Sequence, residues 1–322
     1  MNLEQSFAPC VLSFALILSG GAVAQSYPSK PVKIICPYPA SGGTDILARV
    51  IGDALSQSMG QQFIVDNRSG ASGRIGTEIA AKSAPDGYTL LMATSGPNTI
   101  LPAAYSDLPY DPISSFAPIS QVATAEYILV VHPSLPVQTI SQLIALAKAK
   151  PKAIRYASTG TFGAPHMAME LMEDMAGIEM THVPYRGGTP AITSVVSGET
   201  SIMFVTVPSG MNFVNAGRAR ALATSATKQS TYYPNLPPVS KTLPGFDVSQ
   251  WYGFMAPAGT PKEIVSRLHA EIVKAVGQTK IRSEIMRQGG DVVTTTPEEF
   301  EALVRSDLEK WRRVIKAPGL KP

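Results

Sequence analysis

Two loops rich in small residues carry the groups best suited to hold an anion. The first, PASGGTD, spans 39–45, and the second, ASTGTFGAPH, spans 157–166. Each follows an apolar run typical of a strand and precedes a helical pattern. The first amides of a helix have no partner inside it and carry a partial positive charge, and glycine lets an anion approach that backbone. We therefore expect the two loops to bind a small anion, for which a carboxylate serves as the example.

The scarcity of cations near these loops shapes this prediction. No Lys or Arg stands between Lys33 and Arg49, and none lies within the second loop. About four amide hydrogen bonds to a charged group contribute roughly 6–12 kcal/mol, against an association cost of at least ~4 kcal/mol. Further ligand contacts bring micromolar binding within reach, at about −8 kcal/mol. A basic side chain is therefore not required, and we expect Arg186, the nearest cation carried by a motif, to pair at the surface.

The residues of the first loop also have simpler structural interpretations. Gly42 and Gly43 fit a tight turn between a strand and a helix, whether or not a ligand binds there. Thr44 is expected to cap the helix, with ligand contact as a second role. Asp45 favours the first helical turn and is placed to pair with Arg49 four residues on, so a role as general base is not favoured.

Motifs for other chemistries are missing from the sequence. GASGRIG (70–76) has the spacing G-x-x-G-x-x-G, whereas dinucleotide binding requires G-x-G-x-x-G. No G-x-S-x-G occurs, and the 4 histidines are scattered without metal-ligand spacing. His166 is expected to cap or pack rather than to catalyse. We expect no cofactor and no metal, but Ser, His and Asp could still meet in space, so an enzyme acting on a small carboxylate in a cleft stays open as the alternative.

Composition limits the class of protein. A chain of 322 residues is natural for two domains, and 44% hydrophobic with 16% charged residues excludes disorder. The formal charge of +3 comes without a clustered basic face, so nucleic-acid binding is not expected.

The start of the chain, 1–24, has the pattern of a secretory signal peptide. The apolar core VLSFALIL (11–18) is followed by a small-residue cleavage site, AVA (22–24). This core falls short of the ~18 apolar residues that a membrane-spanning helix needs. We expect cleavage before Gln25 and export of the mature chain.

Cysteine usage agrees with this interpretation. Cys10 would leave with the signal peptide, so Cys36 would remain alone and no intrachain disulfide would form. Its place at the end of an apolar strand predicts a small buried side chain rather than a nucleophile.

Strands and helices alternate along the mature chain, which predicts an α/β fold with parallel strands and helices on the faces of the sheet. Strands are predicted at 32–36, 62–67, 88–94, 119–133, 154–158, 180–185, 201–205, 219–226 and 249–261. Helices are predicted at about 44–59, 73–83, 139–150, 165–176, 188–197, 261–276, 279–288 and 297–316.

Two of the predicted strands resemble crossings between domains. The run 119–133 is too long for one ordinary strand, and 249–261 has a similar layout. We therefore predict a discontinuous first domain, 27–122 plus 249–322, and a second domain, 123–248. Two crossings would form a hinge beside a cleft.

Six motifs in this order resemble a known family. Together they are similar to the Bug-type substrate-binding receptors of tripartite tricarboxylate transporters, over essentially the whole mature chain. The motifs are PYPASGGTD (37–45), NRSGASGRIG (67–76), APDGYTL (84–90), HVPYRGG (182–188), GRARALA (217–223) and WYGFMAPAGTP (251–261).

The resemblance implies both a fold and a function. The fold would be a two-lobed periplasmic-binding-protein (venus-flytrap, type II) architecture with the ligand cleft between the domains. The function would be capture without catalysis and delivery to the permease subunits of a membrane transporter, by a protein expected to be monomeric. The ligand-sensing module of a transcription regulator can share such a fold, but the signal peptide and the lack of a helix-turn-helix argue against it.

The resemblance also implies which residues bind the ligand. Amides of both loops would grip a carboxylate, Asp45 would organise the first loop, and segments 94–98 and 205–209 would shape the other end. Ser41 stands where the family commonly has glycine, and Val205 makes its wall less polar than is frequent in the family. The candidate ligand-binding residues are Ser41, Gly42, Gly43, Thr44, Asp45, Thr94, Asn98, Thr159, Gly160, Thr161, Phe162, Gly163, His166 and Val205.

Overall fold

The computed structural model describes residues 27–230 and 233–315. The predicted signal peptide and its cleavage site lie outside them. The strands are β1 (Val32–Cys36), β2 (Phe63–Asn67), β3 (Thr89–Thr94), β4 (Phe116–Val131), β5 (Arg155–Ser158), β6 (Thr181–Pro184), β7 (Ile202–Thr206), β8 (Arg220–Thr224), β9 (Ser249–Pro257) and β10 (Gly290–Val292). The helices are α1 (Gly43–Met59), α2 (Arg74–Ala81), α3 (Leu101–Ala104), α4 (Ile140–Ala149), α5 (Ala164–Ala176), α6 (Gly188–Val196), α7 (Val207–Asn215), α8 (Lys262–Val276), α9 (Thr279–Arg287) and α10 (Pro297–Ile315).

The first lobe is built on a mixed sheet. Strand β1 pairs in parallel with β2 and β3, and β9 runs antiparallel to β3. Helix α1 follows β1 directly, and it ends at Gly60, whose φ of 72° is the left-handed conformation that glycine adopts without strain. The carboxyl end of β1 therefore leads straight into the loop before α1.

The second lobe repeats this arrangement. Strand β5 pairs in parallel with β6 and β7, and α5 follows β5. In both lobes a parallel strand thus delivers its glycine-rich loop to the start of a helix. Ligands of open α/β sheets bind at this edge.

Strand β4 connects the two lobes because it exchanges partners along its length. Its first part, up to Glu126, pairs with β9, whereas from Tyr127 onward it pairs with β7 and β8. The path of the sheet is therefore β2-β1-β3-β9-β4-β7-β5-β6, with β8 and β10 also paired to β4.

The predicted α/β fold with two lobes is confirmed, and every predicted strand and helix corresponds to an observed one. The elements that the sequence did not predict include β10, α7, α3 and the π-helical turn at Gly96–Ile100 that runs into α3. The domain boundaries stay a prediction.

The core lies on the faces of the sheet. Strands β1, β3 and β4 are mostly buried, and Cys36 is a free, fully buried thiol whose pKa burial raises to about 12. In the described ranges, no helix combines the length and the apolar character needed to cross a membrane.

Candidate functional site

The two glycine-rich loops meet at a small cavity, which we call the amide cavity. It has a volume of about 80 Å³ and lies between the start of α1 and the start of α5. Its wall includes Gly43 and Thr44 from one lobe and Ala164 from the other. A cavity of this volume can hold a few water molecules or a carboxylate group.

The first turn of α1 presents unpaired amides to this cavity. The first hydrogen bond inside the helix runs from the Ile46 amide to the Gly42 carbonyl at 3.0 Å. The amides of Gly43 and Thr44 therefore have no hydrogen-bond partner in the part of the chain that the structure describes. The cap position is Gly42 rather than Thr44, and it offers no side-chain cap, so the expected capping role of Thr44 is wrong.

Asp45 organises the first loop from within. Its carboxylate accepts the Ser41 amide at 2.9 Å, forms a salt bridge of 2.9 Å with Arg49, and accepts the Asn67 side chain at 2.9 Å. Burial alone would raise the pKa of this carboxyl, but the bonds from Arg49, Ser41 and Asn67 hold it below its usual value. The predicted pairing with Arg49 is confirmed. The same bond occupies the Ser41 amide, and Ser41 has the glycine-like φ of 69°.

The second loop has fewer unpaired amides than its glycines suggest. The Gly160 amide donates to the Ser158 hydroxyl at 3.2 Å, and the Gly163 amide to the Gly160 carbonyl at 3.1 Å. The Phe162 amide donates to Nδ1 of His166 at 3.1 Å. These three predicted ligand donors are already engaged, because the loop folds back on the start of α5.

Unpaired amides remain at the start of α5. The first bond inside this helix runs from Met167 to Gly163 at 3.0 Å, which leaves the Ala164 amide without a partner among the described residues. The Thr161 amide is likewise without one. Thr159 lines the amide cavity, as do Ala164 and Pro165. This lobe therefore still offers donors: Thr161 is one of the predicted residues, whereas Ala164 was not predicted.

Tyrosines form a wall of the amide cavity that the sequence did not reveal. Tyr38, Tyr127 and Tyr252 all contribute to it. Burial raises the pKa of each phenol, that of Tyr38 to about 12, so all three are neutral hydroxyls at physiological pH. The Tyr127 hydroxyl donates to Gln250, whereas that of Tyr252 has no hydrogen-bond partner within the described ranges. Tyr252 can therefore donate to a ligand.

Of the remaining residues predicted to contact the ligand, one lines the amide cavity and two are buried behind it. Val205 lines the amide cavity as expected. Thr94 and Asn98 are fully buried and do not line the amide cavity. Asn98 accepts the Thr94 amide at 3.3 Å, and the Thr94 hydroxyl lies 3.4 Å from that of Tyr38. These two residues therefore reach the cavity only through Tyr38.

The loop 70–73, whose glycine spacing does not fit a dinucleotide site, also enters the cleft. Gly70, Ala71, Ser72 and Gly73 all have positive φ, which is unusual for Ala and Ser. The Ser72 hydroxyl donates to the Thr161 carbonyl at 2.8 Å and so joins the lobes. A β-carbon on Gly160 would stand 2.6 Å from that hydroxyl oxygen, so this approach requires glycine.

This loop borders a larger space, which we call the arginine cavity. It has a volume of about 310 Å³ and lies between residues 69–74 of the first lobe and 184–187 of the second. Arg74 and Arg186 both line it, and the two cavities share Tyr38, Pro39 and Thr159. Arg186 has no salt bridge within the described chain, so the expected surface pairing is wrong.

A cluster of aromatic rings packs against the second glycine-rich loop. His166 and His182 lie with ring centroids 4.0 Å apart, and Tyr156 stacks on His182 at 4.9 Å. Nε2 of His166 lies 3.3 Å from Glu170, which also accepts the Tyr156 hydroxyl. His166 is 6% exposed, packs in this cluster and accepts the Phe162 amide, in agreement with its expected structural role. It lines neither cavity, so its candidate role in ligand binding stays a prediction.

One pair in this cluster resembles a nucleophile with its base. The Ser158 hydroxyl lies 2.6 Å from Nε2 of His182. However, Ser158 is fully buried and lines neither cavity, and burial together with the nearby His166 lowers the pKa of His182 to about 4. A base with so low a pKa is poorly matched to neutral pH. The geometry therefore does not favour catalysis, and no cluster among the described residues is arranged to hold a metal ion.

Comparison with known proteins places the chain in a family. The model of the tripartite tricarboxylate transporter family receptor matches residues 47–320. Protein BugT of Bordetella pertussis is 32% identical over 326 residues, which cover 100% of this chain and 99% of BugT.

Two solved structures of similar proteins contain carboxylates. Rpa4515 of R. palustris, solved with adipate, is 31% identical with a TM-score of 0.88, and the match covers 92% of this chain and 99% of that one. MatC (Rpa3494) from Rhodopseudomonas palustris, solved with bound malate, is 26% identical with a TM-score of 0.85, and the match covers 90% of this chain and 100% of that one. The resemblance drawn from the sequence motifs is confirmed: the chain belongs to the tripartite tricarboxylate transporter receptor family, a family of periplasmic solute-binding proteins.

Proposed function

We propose that this protein captures a small organic carboxylate between its two lobes and delivers it to the permease subunits of a tripartite tricarboxylate-type transporter. The protein acts in the periplasm after its signal peptide is cleaved before Gln25. It releases its ligand unchanged, and it works without a cofactor or a metal. The lobes correspond to 27–122 plus 249–322 and to 123–248.

One observation carries this proposal. Helices α1 and α5, which belong to different lobes and have 17 and 13 residues, both begin at the wall of one cavity. Each presents at least one amide without a partner among the described residues. Two helix N-termini that converge on one small space favour a negative charge there, and a ligand held by both would favour a closed cleft.

The chemistry of the wall supports a carboxylate in particular. The amide cavity is lined by no Lys, Arg, Asp or Glu among the described residues, and hydroxyls and amides are its polar groups. Neutral hydrogen-bond donors suit a group with a single negative charge, because the ligand must be released again to the transporter. The adipate and malate bound to the two solved relatives belong to the same class of ligand.

The test removes one amide and keeps the fold. Gly43 is the first residue of α1, a position where proline is well tolerated, and Gly42 has the extended conformation that a residue before proline prefers. Gly43→Pro should weaken carboxylate binding by about 10- to 150-fold, the equivalent of about 1.5–3 kcal/mol for a bond to a charged group. Isothermal titration calorimetry measures the change.

Gly43→Ala is the matched control. Its β-carbon would meet only ordinary contacts, 3.5 Å from the Tyr252 hydroxyl and 3.7 Å from Gln288, and it keeps the amide. Equal binding by both variants would contradict the amide grip. Chemical conversion of a bound carboxylate by the wild-type protein would instead establish the cleft enzyme.

A further inference from the structure

The arginine cavity carries more positive charge than the amide grip uses. Arg74 begins α2 in the first lobe, and Arg186 lies between β6 and α6 in the second. Within the described chain neither guanidinium has a salt bridge or a side-chain hydrogen bond, and no Asp or Glu lines this cavity. The nearest acidic residue along α2, Glu78, pairs with Lys82 at 2.7 Å.

Two unpaired arginines from opposite lobes would repel each other across a shared space. Like charges that line one cavity disfavour the approach of the two lobes. An anion between them reverses the sign of that contribution. Guanidinium groups are also well suited to planar, bidentate binding of oxyanions.

The dimensions also point to an occupant. The arginine cavity, at about 310 Å³, reaches the range of small-molecule pockets, roughly 300–1,000 Å³. The amide cavity is about a quarter of that size, and the two share three residues of wall. Tyr105 and Tyr185 add aromatic and polar surface to the larger space.

We propose that the arginine cavity is a second anion site, in which Arg74 and Arg186 bind one oxyanion group between the lobes. The group is either the far end of an elongated ligand whose first carboxylate lies in the amide cavity, or a separate oxyanion. The first alternative, in which the oxyanion is the far end of the ligand, rests on the proposed function. The second alternative, a separate oxyanion, does not. In both cases the bound anion holds the lobes together.

The experiment compares Arg74→Gln and Arg186→Gln with wild type, and Arg282→Gln is the control. Arg282 is exposed on α9 and lines neither cavity. Calorimetry is run with succinate, adipate and suberate, with butyrate, hexanoate and octanoate as the matched monocarboxylates, and with sulfate.

If the far end of the ligand is the source, wild type binds a dicarboxylate at least 10-fold more tightly than the matched monocarboxylate. Each cavity variant then abolishes this preference, and monocarboxylate binding is not weakened because that ligand has no second anionic group to lose. If a separate anion is the source, wild type binds sulfate and each cavity variant weakens that binding at least 10-fold.

The proposal is overturned if neither a dicarboxylate preference nor sulfate binding depends on Arg74 and Arg186. It is also overturned if Arg282→Gln has the same effect, because net charge would then explain the result. Absence of all carboxylate binding in wild type would count against the proposed function alone, since sulfate still tests the arginine pair.

Discussion

The Ser72 hydroxyl donates a 2.8 Å hydrogen bond to the Thr161 carbonyl and thereby joins two loops that are 89 residues apart in the chain. Ser72 is 8% exposed and has a φ of 55°, so the first lobe holds it in a strained conformation at the point of contact. The bond forms between the lobes, and it can exist only when they lie together.

Loss of this bond should weaken ligand binding. Ser72→Ala should reduce carboxylate affinity by about 2- to 12-fold, since a neutral hydrogen bond contributes about 0.5–1.5 kcal/mol. The free energy of unfolding of the unliganded protein should change little. Calorimetry and urea unfolding measure both quantities. Ser106→Ala, at an exposed serine of the same lobe outside both cavities, is the control, and equal effects of the two variants would show that the loss is not specific to the Ser72 bond.

Removal of the charge on Asp45 should affect both the fold and binding. Asp45→Asn weakens the bonds to the Ser41 amide and to Arg49, so we expect the free energy of unfolding to fall by about 1–3 kcal/mol. Carboxylate affinity should fall as well, because the loop positions the unpaired amides of α1. Asp53 is exposed on the same helix, and Asp53→Asn should leave the free energy of unfolding and the carboxylate affinity unchanged. Wild-type affinity in Asp45→Asn would exclude the organising role.

The Tyr252 hydroxyl is predicted to contact the ligand directly. Tyr252→Phe should lower carboxylate affinity at least ~10-fold without loss of stability, since the hydroxyl has no partner among the described residues. Tyr110→Phe provides the contrast. The Tyr110 hydroxyl donates a 2.7 Å hydrogen bond to the Pro97 carbonyl, and Tyr110 lines neither cavity. That variant should lose stability and keep its affinity. The reverse pattern would remove Tyr252 from the site.

Acid should destabilise the protein through His182. Burial, and secondarily the charge of His166, lowers the pKa of His182 from 6.5 to about 4. The folded state therefore binds its proton less readily than the unfolded state, and stability present above pH 6.5 is lost as the pH falls towards 4.

Between pH 6.5 and 4, His182→Gln should reduce the acid-induced fall in the free energy of unfolding by about 1–2 kcal/mol, a value reduced for solvent screening. Urea unfolding of wild type and variant across this pH range measures the difference. His132→Gln should not change the profile, since His132 contacts Ser134 outside the cluster. An unchanged profile in His182→Gln would assign the acid sensitivity to other groups.

The sequence located the loops but not everything that surrounds them. Strand, glycine and helix patterns sufficed to place both loops at helix starts, because those signals are local. The sequence could not identify Tyr252 and Tyr127 as cavity residues. The strands that carry them, β9 and β4, are continuous apolar runs, so no alternation shows which side chain faces the cavity.

Two further features escaped prediction for physical reasons. Ala71 and Ser72 adopt positive φ although neither is glycine, so the loop did not show its role by residue type. The Phe162 amide was expected to face a ligand, but His166 accepts it instead. Such competition between side chain and ligand for one donor depends on rotamers, which sequence does not specify.

The contact between Tyr105 and Phe162 has a thermodynamic consequence. The rings meet edge to face with centroids 5.3 Å apart, one on the segment after α3 and the other in the second glycine-rich loop. Separation of the lobes would hydrate this apolar surface. Ligand binding that is coupled to closure should therefore carry a negative heat-capacity change, larger than burial of the ligand alone would give, and its enthalpy should become more favourable as temperature rises.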